Sequence, residues 1–387
     1  MVEKANTLTG LIPTLYKSID VVMRELTGFI PAVTLDASGE QVAKNQNLSY
    51  PIVAAQTAGD IEASATGPDP NEQTVSPGTI TITKFRSTSF FWTGEEQKGL
   101  GGLYGRTLED QFAQSMRTLI NEVEADLAGL YVYASWFYGT AGSTPFDSTN
   151  KLACLAQLGK LLKDAGAPQS DLQCVIDTTA GVNLRSLTQL TNAGDAGNDS
   201  LLRRGVLLPL LGFDMRESAQ VKTHTKGGGS AYAVDLTAGY AAGSTTIHVD
   251  TGAGAIKAGD IITNTKTGRD TNKYLVKTGF AGDGDGDIVL AGTGLKTAWV
   301  NNDPIAIGNS YTANLAFSRS AIHLLMRAPA MPEGGDAADD VAYITDPQTG
   351  ITFQVAMYRQ HRRVAYEVGL AWGVKAVKPD AMAILVG

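Results

Sequence analysis

Apolar positions recur at three- and four-residue steps through Ile12, Leu15, Tyr16, Ile19, Val22, Met23 and Leu26, a spacing that predicts one amphipathic helix over residues 7–29. Pro13 suits its first turn, Gly28 suits the position after its last, and Asp20 pairs with Arg24 on the polar side. Two readings of the segment stand level. It is a terminal helix docked on its own domain, or it is an arm that reaches a partner through Ile12, Leu15, Tyr16, Ile19, Asp20, Met23 and Glu25.

From Asn45 to Trp92 the helical period disappears, and turn residues around Pro68, Pro70 and Pro77 separate two extended stretches. Thr79 to Thr83 alternates hydroxyl and apolar residues, and the alternation runs on through Lys84, Phe85 and Arg86 toward Trp92. These stretches read as a long two-stranded arm whose tip, with Asp60, Glu62, Asp69 and Glu72, is too polar for its own core. An isolated hairpin is marginal in water, so this one is expected to lie on another surface.

Thr107 followed by Asp110 marks a helix start, with an apolar stripe of Leu108, Phe112, Met116, Leu119, Ile120, Val123, Leu127, Leu130 and Tyr131. A second helix is expected over about 149–165, ending at Gly166 before Pro168, and residues 172–176 read as a buried strand. Asp177 or Thr178 then caps a further helix through Leu190. At Lys226, Gly227, Gly228, Gly229 and Ser230 the composition changes abruptly to what reads as a flexible junction. Short β-rich runs punctuated by glycine turns follow to about residue 307, as in an inserted small barrel or sandwich. Helical periodicity returns at 313–317 and 321–326. The remainder is mostly extended, with Ile351, Phe353, Val355 and Met357 alternating, then residues 364–374 and a last strand near 382–386. The fold class is α+β.

A chain of 387 residues at about 100–200 residues per domain implies two or three domains. Hydrophobic residues at 43% and a mean hydropathy of -0.05 describe a globular chain, and no apolar run approaches a membrane span. Charged residues are only 18%, against about 25% in typical domains, and 43 residues are glycine. Such a surface suits burial against other subunits, because interface cores are depleted in charge. A net charge of -8 argues against a protein built to grip nucleic-acid phosphates. The polar start, interrupted at Gly10 and Pro13, is not a signal peptide, so Cys154 and Cys174 are expected to be free buried thiols rather than a pair.

The candidate chemistry is sparse. His224, His248, His323 and His361 are far apart and show no metal-binding spacing, no nucleophile elbow occurs, and residues 292–297 lack the Gly-Lys-Thr adjacency of a phosphate loop. Asp283, Asp285 and Asp287 are spaced as in a calcium loop, but Ile288 stands where glycine is needed and Gly294 where a bidentate glutamate is needed. A solvated hairpin tip is the favoured reading. Arg359, Arg362 and Arg363 form a basic cluster suited to phosphates or to an acidic neighbouring subunit, although an exposed strand face with ordinary ion pairs explains it more simply. No cofactor, metal or catalytic residue is expected.

The order of parts resembles the capsid proteins of tailed phages with the Hong-Kong-phage-type fold, in particular the short-tailed temperate enterobacterial branch with an inserted β-barrel. The resemblance is carried by residues 210–214 (LLGFD), 257–262 (KAGDII), 369–374 (GLAWGV) and 378–381 (KPDA), which occur in the family's order. It implies an N-terminal arm over 1–35, an extended loop over 36–92, a spine helix over 107–137 and a barrel over 221–311. Residues 93–220 and 312–387 would form the peripheral and axial core. It further implies hexamers and pentamers in an icosahedral virion head, assembled in the bacterial host cytoplasm with a scaffolding protein and portal. The head would enclose double-stranded DNA without sequence-specific contact and without a membrane. An encapsulin-like compartment shell is the runner-up, and a secreted β-rich adhesin or hydrolase is the alternative from another class.

One branch of that family cross-links a loop lysine to a neighbour's asparagine, but no lysine lies between Lys44 and Lys84 here. Particles boiled in detergent should therefore run as a single band near 40.7 kDa on a denaturing gel. A reductant-resistant ladder would refute this.

Overall fold

The computed structural model describes residues 28–53, 75–147, 151–191, 209–345 and 350–387. The arm residues Ile12, Leu15, Tyr16, Ile19, Asp20, Met23 and Glu25 and the loop-tip acids Asp60, Glu62, Asp69 and Glu72 lie outside them. Within the described residues the chain is mixed α+β, with one long helix, two six-stranded sheets and a closed six-stranded barrel.

The first sheet contains β1 (Thr34–Val42), β4 (Lys84–Thr93), β16 (Ile322–Pro329), β17 (Asp340–Thr345), β18 (Thr352–Gln360) and β19 (Arg363–Ala376). Strand β19 organises it, pairing with β4 along 363–372, with β18 along 363–369 and with β16 along 371–376. Strands β2 (Asn47–Val53) and β3 (Val75–Thr81) form a separate hairpin, so β1 and β4 belong to the main sheet and only the segment between them stands apart. The second sheet orders β5 (Trp136–Gly139), β20 (Met382–Val386), β15 (Tyr311–Ser318), β6 (Leu172–Ile176) and β7 (Phe213–Glu217), with β8 (Thr223–His224) also paired to β15.

Helix α1 (Gly94–Leu100) begins with a capping box: the Thr93 hydroxyl accepts from the Glu96 amide at 3.3 Å, and the Glu96 carboxylate accepts from the Thr93 amide at 2.9 Å. A 3-10 turn leads directly into α2 (Tyr104–Ala128). The expected start at Thr107 is therefore wrong; its hydroxyl donates back to the Leu103 carbonyl from inside the helix. The helix also ends earlier than position 137, because Gly129–Tyr133 tighten into a 3-10 turn and Trp136 already belongs to β5. Helix α3 (Ala153–Asp164) packs on β5 and β20, and Asp177 caps α4 (Thr178–Ser186), which breaks at Leu187 before the short α5 (Thr188–Thr191). Cys154 and Cys174 are both buried and free.

The helical reading of 313–317 and 321–326 is overturned, since both are strands, β15 and β16. Each is flanked on both sides, β15 by β20 and β6, β16 by β1 and β19, and nearly every residue is buried. A near-continuous apolar run has no period to separate a central strand from a buried helix.

Strands β9 (Tyr232–Val234), β10 (Thr246–Gly252), β11 (Ile261–Asn264), β12 (Lys273–Thr278), β13 (Gly284–Leu290) and β14 (Pro304–Ile307) close into the barrel. Its core, with Ile247, Ile262, Val276, Ile288 and Trp299, is separate from the core shared by α2 and the two sheets. Asp270, 4% exposed, accepts from the Trp299 indole at 3.0 Å, the Asn272 amide at 2.9 Å and the Tyr274 hydroxyl. The glycine run at 227–229 is not a flexible linker. A Cβ at Gly227 would lie 2.2 Å from the Ala255 carbonyl oxygen, so glycine is needed there for close approach of backbones.

An independent core predicts independent folding: residues 226–309 alone should give dispersed amide resonances and a cooperative melt. In that fragment Asp270→Ala strands two buried donors and should cost about 2–3 kcal/mol in denaturant unfolding. A collapsed spectrum of the parent fragment would count against the domain.

Candidate functional site

Three places concentrate polar chemistry, and α2 touches two of them. Strand β4 carries the chain out of the extended loop and is fastened along α2 by side-chain pairs. The Trp92 indole donates to Gln111 at 2.6 Å, Arg86 meets Glu122 at 2.8 Å and Lys84 faces Asp126 at 3.7 Å. Asp126 also accepts from the Trp372 indole at 2.9 Å, which ties the helix to β19. Between these pairs, the Phe90 ring meets Phe112 edge-on at 5.0 Å and Phe112 meets Tyr366 at 5.3 Å. The base of the β2–β3 hairpin rests on the sheet, with Tyr50 between His323 at 6.0 Å and the Lys375 ammonium at 5.8 Å. Val42, Ile80 and Ile82 form a small core there with Leu325 and Ala371.

The basic cluster lies at the β18–β19 turn, where Arg362 adopts φ 59°. Arg359, Arg362 and Arg363 are all exposed. Arg363 stacks over Phe91 at 4.9 Å, and Arg362 approaches Glu95 at 3.9 Å. With Lys98, His361 and Trp92 they line an open cleft of about 690 Å³. Among the described residues no group of three His, Cys, Asp or Glu is arranged to hold a metal. Asp285 and Asp287 do not sit at a hairpin tip but within β13, where the His248 ring of β10 bonds the facing Asp287 at 2.7 Å, and that bond, with Asp235 and Asp285 nearby, raises the imidazole pKa.

The third place was invisible in the sequence. Beyond α2, the Tyr131 hydroxyl bonds the His224 Nδ1 at 2.8 Å, and the His224 Nε2 bonds the buried Asp260 at 2.8 Å. Asp260 also accepts from the amides of Gly227 at 3.0 Å and Lys257 at 2.7 Å, and the Tyr311 hydroxyl donates to the Gly259 carbonyl at 2.7 Å. Gly259 has φ +94°, and a Cβ there would meet the His224 ring at 2.9 Å. Burial opposes ionisation of Asp260, but the His224 bond and the two amides outweigh it and hold the carboxyl below its ordinary value. The network joins the 3-10 turn after α2, the entering strand β8, a barrel turn and the leaving strand β15. His224 and Asp260 are 36 residues apart, so no local spacing signals the pair.

The class these features define is an α+β protein in which a long helix fastens the strand that leaves an extended hairpin, and the 3-10 turn after that helix roots an inserted barrel. No family model matches the chain, and no curated protein matches it. Among solved structures it is similar to the Mycobacterium phage Che8 structure, at 15% identity over 89% of this chain and 85% of that one, with a TM-score of 0.47. It is also similar to the capsid of the cyanophage P-SCSP1u, at 12% identity over 92% and 86%, with a TM-score of 0.49. A virus-like particle from Pyrococcus furiosus is similar at 9% identity over 97% and 99%, with a TM-score of 0.46.

Replacing Asp260 with alanine leaves His224 and two amides buried without their acceptor, and should cost the full chain about 3–5 kcal/mol in denaturant unfolding. Because its native pKa is lowered, the carboxylate's contribution is complete above the unfolded value of 3.8 and is lost as pH falls through the native one. The difference between parent and variant should therefore shrink in acid. A pH-independent difference would overturn the assignment.

Proposed function

We propose that this chain is the major capsid protein of a tailed bacteriophage, with copies of itself forming the hexamers and pentamers of an icosahedral head around double-stranded DNA. The observation that carries the reading is the β2–β3 pair: a two-stranded sheet separate from the main one, its base packed on Leu325 and Ala371, with Asp60, Glu62, Asp69 and Glu72 and no lysine or arginine in the sequence between its strands. Such a hairpin needs a second surface to lie on, and an acidic tip selects a basic one. The exposed turn with Arg359, Arg362 and Arg363 has the complementary charge. In this reading the tip of one copy meets the turn of a neighbour, and the N-terminal arm, through Ile12, Leu15, Tyr16, Ile19, Asp20, Met23 and Glu25, adds a further contact between copies. Scaffolding protein and portal enter as partners by the family resemblance alone, as do the virion location and assembly in the host cytoplasm. The chain works here as a structural protein rather than an enzyme. No helix among the described residues is long and apolar enough to cross a membrane.

Coexpression with the scaffolding protein of the same phage should yield uniform closed shells by negative-stain microscopy. Reversing the turn with Arg359→Glu, Arg362→Glu and Arg363→Glu should reduce closed particles at least tenfold, and lysines at positions 60, 62, 69 and 72 should restore them. Monomers or dimers from the parent chain beside a folded scaffold would sink the shell reading, and shells filled with protein rather than nucleic acid would favour an enzyme compartment. Normal shells from the reversed turn would remove the charge contact alone.

A further inference from the structure

The barrel separates its surface charges. Between residues 231 and 256 and between 278 and 295 the chain has no lysine or arginine, and it carries Asp235, Asp250, Asp283, Asp285 and Asp287. Residues 257–277 reverse the pattern, with Lys257, Lys266, Arg269, Lys273 and Lys277. The two acids of that stretch, Asp260 and Asp270, are buried and engaged in internal hydrogen bonds.

The fold turns these stretches into two sides. Around the closed order β10-β13-β12-β11-β14-β9, two strands separate β10 from β11 in either direction, so the two stand across the barrel from each other. The acids centre on β10. Asp250 lies on it, Asp235 follows the paired β9, Asp285 and Asp287 lie on the paired β13, and Asp283 directly precedes β13. The distances agree, since the His248 ring of β10 has Asp287 at 2.7 Å, Asp285 at 3.9 Å and Asp235 at 4.0 Å. The cations centre on β11. Lys257 precedes it, Lys266 and Arg269 lie in the turn into β12, and Lys273 and Lys277 lie on β12. All five cations are exposed, although Ile261 and Leu275 of the same strands pack into the main core. Four of the five acids are exposed as well, and Asp250 is partly buried.

Soluble surfaces ordinarily intersperse both signs, because like charges gathered on one side repel. Here one imidazole stands among three carboxylates, and the balancing cations lie on the far side of the same barrel. A surface of opposite sign laid on either side relieves that repulsion, and the two sides are complementary to each other.

We propose that the barrel is a head-to-tail contact between copies of this chain, the β9–β10–β13 side of one barrel meeting the β11–β12 side of the next. The two surfaces differ, so the contact is heterologous and continues into a ring or a row instead of stopping at a pair. The cationic side alone would suit any polyanion, nucleic acid included. The acidic side on the same small domain selects a second copy, because that partner engages both. The contact involves neither the hairpin tip nor the arginine turn, and it does not require a closed shell.

The test is sedimentation velocity of the full-length protein over a concentration series. Association beyond the 40.7 kDa monomer should be strongest at about 20 mM salt and fall away toward about 500 mM, where screening confines charge contacts to a few ångströms. Asp235→Lys with Asp285→Lys, or Lys273→Glu with Lys277→Glu, should each weaken the association by about tenfold. Mixed in equal amounts, the two variants should associate as the parent does, since each then meets the charge it lacks. A parent that stays monomeric or associates independently of salt, a reversed side that leaves association unchanged, or mixing that restores nothing would each overturn the proposal. So would a lysine reversal that releases bound nucleic acid and leaves self-association intact, which would assign the cationic side to nucleic acid. The salt series needs no variant, so the proposal stays open to refutation if a reversed chain does not fold.

Discussion

Leu108, Phe112, Met116, Leu119, Ile120, Val123 and Leu127 line one side of α2, each no more than 2% exposed, and burial of such side chains is worth about 1.5–3 kcal/mol apiece. That stripe fixes the rotation of a helix about 37 Å long against β4 and β19 of the first sheet. Three other parts of the chain are then attached at or near a helix that cannot turn. The loop strand β4 is fastened along its polar side, the N-terminal segment is capped by Glu124 near its end, and the barrel is rooted at Tyr131 one turn beyond. A change in the bend or position of α2 would be felt at all three attachments together.

Three buried carboxylates show how differently one desolvation problem is answered. Asp270 has an indole, a hydroxyl and amides around it, and Asp260 has an imidazole and two amides. In both, these bonds outweigh burial and the pKa falls. Glu124 has amides and one hydroxyl, and burial wins. The first two are rigid structural hubs, one inside the barrel and one at its root. The third caps the 3-10 turn Ile30–Ala32 from the far side of the core.

The barrel interrupts its host sheet without disturbing it. Strand β8 on the way in pairs with the start of β15 on the way out, His224 opposite Tyr311, and β15 then continues between β6 and β20. The entering and leaving chains are thereby held side by side, and a separate core behind them needs only that anchor. Glycine at 227 and 259 belongs to the same device, since the backbones and the His224 ring approach too closely there for any side chain.

The sequence alone determined the periodic elements. The α2 stripe, a helix cap at Asp177 or Thr178, the buried run at 172–176 and the β-rich insertion were legible because hydrophobic spacing and turn chemistry are local properties. It determined a two-stranded extension as well, through the alternation around Thr79, although not that its outer strands would join the main sheet. Residues 313–317 and 321–326 could not be read correctly, because a strand covered on both faces loses its period of two and only pairing with β20, β6, β1 and β19 makes it a strand. The glycines at 227–229 read as slack for a similar reason: whether glycine confers freedom or permits contact depends on what approaches it. Glu124 with Phe29 and His224 with Asp260 join residues remote in sequence, and no spacing rule reaches them. Polar groups of that kind acquire partners, and shifted pKa values, only when the fold removes water from around them.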